Sequence, residues 1–305
     1  MSRQPGEPDA PGGRLLIVNA DDYGLTVGVS RAILDAHRHG VVTSTSALAL
    51  APGFAPSARW LADEGGIGVG AHLAAVGEDP PLLSAREIPT LVDERGRLDL
   101  SWRRFLPRAA AGRVDPDDLR REFAAQLDAI VGAGIRPTHI DSHQNLHLWP
   151  TVRDTVLELG DRHGIRVVRI TRSTARSAVG IVVRRLAADL ERRCDARGWG
   201  YVAASTGLDE AGTLGEAEML RALDRLAATG APSAELATHP GGGADPDLAR
   251  YRWGYVWHRE YAALVAPAVR ERIATHGFEL GHFGHLAGRV GRGAATARAA
   301  SGSAA

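Results

Sequence analysis

The chain has 305 residues, and all 36 of its basic side chains are arginine. With no lysine, a Schiff-base lysine, a lysine general base and a Walker A phosphate loop are excluded. A single cysteine, Cys194, set against 12 histidines, excludes an internal disulfide, a CxxC pair and a cysteine-rich zinc site, so any metal is expected on His, Asp and Glu. Formal net charge is zero, which gives nucleic acid no electrostatic footprint as a partner. No apolar run approaches the roughly 18–20 residues of a membrane span. The N-terminus lacks a hydrophobic signal region, which points to the cytoplasm.

The small, polar segments 1–13 and 286–305 read as disordered tails. Between them the pattern is strand then helix, repeatedly. RLLIVNA (14–20) reads as a buried strand running into Asp21-Asp22, and 28–40 as a helix. Residues 41–50 are strand-like, 54–64 helical and 66–73 a strand. The stretch 78–108 breaks the rhythm with prolines and is expected as a hairpin or lid, or else a packed surface excursion. Asp115 as N-cap and Pro116 at the first helical position open a helix over 114–133. The strand THIDSH (138–143), a helix from Pro150 to His163 and the strand IRVVRIT (165–171) follow. Helices near 176–197 and 214–229 flank a strand at 200–205. Strands at 233–239 and 278–283, with a helix near 258–276 between them, complete the series. Seven or eight β–α alternations imply a parallel sheet covered by helices. No GxGxxG follows the first strand, so the expected fold class is α/β, a distorted TIM-like barrel of seven or eight parallel strands in one domain over 14–285.

In such a barrel the strand ends share one rim. Asp21, Asp22, His72, His143, Arg169 and His239 all fall at those ends. For NADDYG (19–24), adjacent aspartates repel unless a cation or a proton relieves them. Either they are a helix N-cap with a solvated neighbour, or one binds a metal while the other takes a proton from water. In HIDSHQNLH (139–147), His139, Asp141 and His143 alternate with period two and face one side of the strand, as metal-site residues or as a satisfied polar network. His72 alone reads as structural. With Asp22 and His143 it completes a two-histidine, one-carboxylate set that leaves positions open for water and substrate. His239, in THPGGG (238–243), suits a general acid, and the glycines after it either approach a ligand or make a turn. Trp149, Trp253, Tyr255 and Trp257 read as core packing first and a sugar-stacking platform second. Cys194, on an arginine-rich helix, reads as inert. The stretch 172–193, apolar and arginine-rich, reads as an ordinary barrel helix with a solvated face. Peripheral contact with a membrane surface is its second reading.

NADDYG, GIGVGAHL (66–73), HIDSHQNLHLWP and THPG together resemble the YdjC/ChbG carbohydrate deacetylases, including their HpnK-like branch, over roughly 14–285. The resemblance implies a distorted TIM-like barrel that removes the N-acetyl group of an amino sugar with a divalent metal, Mg2+ or Zn2+. It implies Asp22, His72 and His143 as ligands, Asp21 as base and His239 as acid. Arg169, His147 and Asp141 are expected around the substrate. The sequence departs from the chitooligosaccharide branch at Gln144-Asn145, where relatives carry histidines, and at RITRS after the fifth strand, so the sugar itself stays open. Hydrolysis of another bond, such as a phosphate ester, and a non-catalytic glycan-binding module are the competing readings. A homo-oligomer is compatible with the sequence.

Overall fold

The computed structural model describes residues 13–287. The tails expected to be disordered lie outside the described residues, save for Gly13, Leu286 and Ala287. Seven strands form one curled, wholly parallel sheet: β1 (Arg14–Tyr23), β2 (Ser44–Ala47), β3 (Gly68–Leu73), β4 (His139–Ser142), β5 (Ala204–Thr206), β6 (Ser233–Thr238) and β7 (Phe278–Leu280). Their order is β4-β3-β2-β1-β6-β5, with β7 beside the first half of β1. Helices cover the outer face, so the architecture is a distorted TIM-like barrel, as the alternation of elements implies.

The two faces of β1 show how the sequence specifies this. Leu16, Val18 and Ala20 point outward into the large core beneath the helices. Leu15 and Ile17 point inward and pack with Val167, Val202, Phe283 and Leu286 as a separate plug in the barrel floor. The inward set continues upward as Asn19 and Asp21, so the same face turns from apolar to polar as it nears the rim. Neighbouring strands follow in register. Ser46, Gly70 and His139 form one layer, and His72 lies level with Asp141. Gly70 is needed there, since a Cβ would sit 2.2 Å from His139 Nε2.

Local signals place several helices. Asp115 caps α4 (Pro116–Gly132) by accepting from the Asp117 amide, with α3 (Trp102–Ala110) preceding it. Pro150 opens α5 (Pro150–His163), and Gly164 closes it at φ +72°. The earlier helices are α1 (Val27–His39), capped by Thr26, and α2 (Phe54–Asp63). α6 (Ala178–Arg197) and α7 (Glu216–Ala228) follow. On α6, Cys194 is buried, and burial pushes its thiol up to about 12, which keeps it unreactive.

Two expected elements differ, and the stretch 78–108 is the packed surface excursion, one of its two readings. The strand at 165–171 shrinks to isolated parallel bridges from Val168 to Ile140 and from Val167 to Gly200. The helix near 258–276 is two helices, α8 (Trp257–Leu264) and α9 (Pro267–Thr275). Pro267 forces Ala266 to extended geometry (ψ 131°) and breaks the run. The excursion 78–108 is strapped to α4: Glu122 accepts from the Leu82 and Leu83 amides at 2.9 and 3.0 Å, and Asp118 accepts from Thr90 N at 2.7 Å. Ile88, Leu91, Leu98 and Phe105 are buried beneath it. Among the described residues no helix is long and apolar enough to cross a membrane, although Val179, Ile181 and Val182 at the start of α6 are exposed.

Glu122 is fully buried and also accepts from Gln126. Glu122→Ala leaves two backbone amides without their charged acceptor and is expected to cost about 3–6 kcal/mol, at roughly 1.5–3 kcal/mol per bond to a charged group. Urea unfolding measures the loss, and limited proteolysis should then cut first within 78–108.

Candidate metal and active site

The rim is built by strands that bring distant residues to one level. β1 does this through an irregularity. Ala20 pairs with Thr45 and Tyr23 with Ala47, so β1 carries one more residue than β2 over this interval. The extra residue is accommodated at Asp22, which adopts φ +66°, a left-handed conformation that Asp tolerates better than most residues. A regular strand would send Asp21 and Asp22 to opposite faces. The bulge turns both toward the barrel mouth.

Asp22 Oδ1 lies 3.2 Å from His143 Nδ1 and 3.5 Å from His72 Nε2. One donor atom from each of the three falls within 4.8 Å of the others, and all three residues are buried. Asp22 Oδ1 has no hydrogen-bond partner although it is buried, a costly state for a carboxylate oxygen unless a cation meets it. Burial would raise Asp22, but His143, His72 and His239 outweigh it and bring it to about 2. Burial would likewise depress His72, but Asp141, Asp21 and Asp22 lift it to about 9. The set attracts positive charge, and its two imidazoles and one carboxylate suit a divalent ion with open positions.

His72 Nδ1 meets Asp141 Oδ1 at 2.9 Å, which fixes the ring and leaves Nε2 facing the donor set. Such outer partners orient ligating histidines. Asp141 also accepts from Ser46 Oγ at 2.9 Å and from Arg169. Arg169 binds Asp21 Oδ1 at 2.6 Å through NH1 and Glu235 Oε1 at 2.7 Å through Nε. Asn19 Nδ2 donates to the same Asp21 oxygen at 2.6 Å. Asp21 Oδ2 is left 3.6 Å from His239 Nε2. The His239 amide donates to Glu260 Oε2 at 2.5 Å, while its Nδ1 is buried without a partner. A second grouping of donors, Asp21, His72 and Asp141, is already bridged by the Arg169 guanidinium and is an ion-pair network.

The structure brings together Asp21, Asp22, His72, His143 and His239. Arg169, Asp141 and His147, expected around the substrate, lie behind that rim, each at most 1% exposed. His147 accepts from the Ser142 amide through Nδ1, at 3.1 Å, and contacts the Arg169 carbonyl through Nε2 at 2.9 Å. Gly241 donates its amide to Trp257 O at 3.2 Å, so that amide is used within the protein and is not offered to a ligand. Trp253, Tyr255 and Trp257 cluster over the rim, with Trp253 5.2 Å from His143 and Tyr255 5.0 Å from His239, centroid to centroid. Trp149 instead precedes α5. Sequence reasoning missed Ser46, Glu235 and Glu260. Glu235 was findable, since it precedes His239 by two periods of an alternating strand.

A parallel barrel whose strand ends gather a buried Asp-His-His group that could hold a metal ion, beside a paired Asp and His, has the layout of a hydrolase of the α/β barrel class. The sequence model described as YdjC-like protein matches residues 15–275, and the chain belongs to that family. It is 32% identical to a chitooligosaccharide deacetylase of Serratia marcescens over 90% of this chain and 99% of that one. It is 38% identical to a carbohydrate deacetylase of Geobacillus stearothermophilus over 52% of this chain and 62% of that one. A solved structure from Enterococcus faecalis, titled as a candidate cellobiose-phosphate cleavage protein, is similar with a TM-score of 0.71 and 27% identity, covering 89% of this chain and 98% of that one.

Asp141→Asn keeps an acceptor for His72 but removes the charge that holds the ring, and sets an amide NH2 where Arg169 now meets a carboxylate. Divalent-metal affinity, measured by competition with a chromogenic chelator, is expected to fall about 10–100-fold.

Proposed function

We propose that this protein hydrolyses the N-acetyl group of an N-acetylated amino sugar, with a divalent cation, Mg2+ or Zn2+, held by Asp22, His72 and His143. The observation that carries the reading is the unpartnered, buried Asp22 oxygen facing two imidazole nitrogens beside the Asp21–His239 pair. The names of the deacetylase relatives support the sugar amide as the bond attacked.

When bound, the cation lowers the pKa of water and polarises the acetyl carbonyl. Asp21 accepts the proton of the attacking water. Arg169 and Asn19 occupy its Oδ1, which leaves Oδ2 on the side of His239. The C–N bond breaks as His239 gives a proton to the departing amine, a poor leaving group without one. Acetate and a free amino sugar result. The aromatic residues 253–257 wall the mouth and exclude water from one side. Asp141, Arg169 and His147 hold the reacting residues in place from behind.

Asp21→Asn is expected to keep its metal and lose roughly 10²–10⁴-fold in kcat. Asp22→Ala is expected to lose both metal and turnover. The assay is amine release from N-acetylglucosamine oligomers, with phosphate release from model esters run in parallel. Chelation should abolish amine release and divalent metal restore it. Undiminished deacetylation by Asp21→Asn, or phosphate release without amine release, overturns the reading.

A further inference from the structure

The chain has five tyrosines, and four of their hydroxyls donate to protein acceptors: Tyr23 to Ser57 O, Tyr201 to Asp195, Tyr251 to Asp79, and Tyr261 to Asp35. Tyr255 is the exception, and its hydroxyl has no hydrogen bond among the described residues. It is also the tyrosine at the rim, its ring 5.0 Å from His239 and 5.5 Å from Trp253, which in turn lies against the ligand candidate His143.

The ring is held firmly. Trp257 packs against it at 5.0 Å. It rests on Gly212, where φ is +76° and a Cβ would come within 2.0 Å of the ring. The next amide, Val256 N, donates to Gly212 O at 2.7 Å. Burial and the carboxylates of Asp22, Glu260 and Asp21 push the phenol well above its ordinary value, so it keeps its proton and remains a donor. The residue is half-buried, so its hydroxyl is free of protein acceptors and open to the mouth; a rigid donor so placed, beside the residues that act on an amide, can meet developing negative charge.

We propose that Tyr255 is a catalytic residue whose hydroxyl donates a hydrogen bond to the acetyl oxygen as it gains negative charge during attack. This rests on the deacetylase reading above. The bond is weak to the neutral carbonyl and strong to the oxyanion, so it acts on kcat more than on KM.

Tyr255→Phe keeps the ring and its contacts and removes only the hydroxyl. It is expected to retain metal and thermal stability, to lower kcat on di-N-acetylchitobiose about 10²-fold, and to leave KM within about twofold, as loss of a bond made only in the transition state requires. A second readout is independent of turnover. Methylphosphonate, a tetrahedral anion, is titrated against the metal-loaded protein by the fluorescence of the adjacent Trp253 and Trp257, and the variant is expected to bind it at least tenfold more weakly. Unchanged kcat and unchanged phosphonate affinity overturn the proposal. So does a fall in kcat with phosphonate affinity intact, or loss of the metal in the variant. If the wild-type chain releases no amine from any N-acetylated sugar, the deacetylase reading fails, and the phosphonate titration still decides whether Tyr255 is an anion donor.

Discussion

The site depends on one buried cation. Arg169 is 1% exposed and touches Asp21, Asp141 and Glu235, all of them buried. Burial alone would weaken its charge, but the three carboxylates hold it far above its ordinary value. Each contact does a different job. The first aims Asp21 at His239, the second steadies the acid that orients His72, and the third ties β6 to the centre. One positive charge does not balance three negative ones, and burial pushes Glu235 up against the opposing pull of Arg169. The remaining deficit makes a further cation favourable nearby, where Asp22, His72 and His143 stand. A lysine would serve badly here, since a point charge on a flexible stem cannot fork between three oxygens. The arginine-only composition is therefore compatible with the site's needs at this one position, whatever set it elsewhere.

Much of this was legible from alternation. Inward residues on β1 (Asn19, Asp21), β4 (His139, Asp141) and β6 (Glu235, with His239 following) recur every second position, and a parallel barrel brings their ends together. What alternation cannot carry is a break in itself. Asp22 reaches the site only because β1 gains a residue there, and the local sequence gives no reason to place the bulge after Ala20 and not elsewhere. The same limit applies to 165–171, whose apolar run reads as a strand but forms only isolated bridges. Tyr255 was visible only as one aromatic among several, since a loop has no period from which to read orientation.

The rim is also fastened across its mouth. Asp79 accepts from Arg250 at 2.7 Å and from Tyr251 at 2.9 Å, and Glu78 accepts from Trp253 Nε1 at 3.0 Å. The excursion that begins there is anchored at its other end by Gln144, which accepts from the Trp102 amide at 2.9 Å. Gln144 and Asn145 both take a left-handed backbone there, at φ +53° and +55°. This left-handed pair therefore sits in the wall of the site, next in sequence to His143 of the Asp22–His72–His143 group.

The pairing of β7 with the first three residues of β1 bears on how the chain comes into being. On a ribosome, β1 emerges long before β7. Until some 260 residues have followed, the inner half of the first strand keeps an open edge, and the floor plug lacks Phe283 and Leu286. Such distant pairing slows folding and prolongs exposure of that edge. The rim can be assembled in outline by then, but the floor beneath it closes only once β7, Phe283 and Leu286 have joined it.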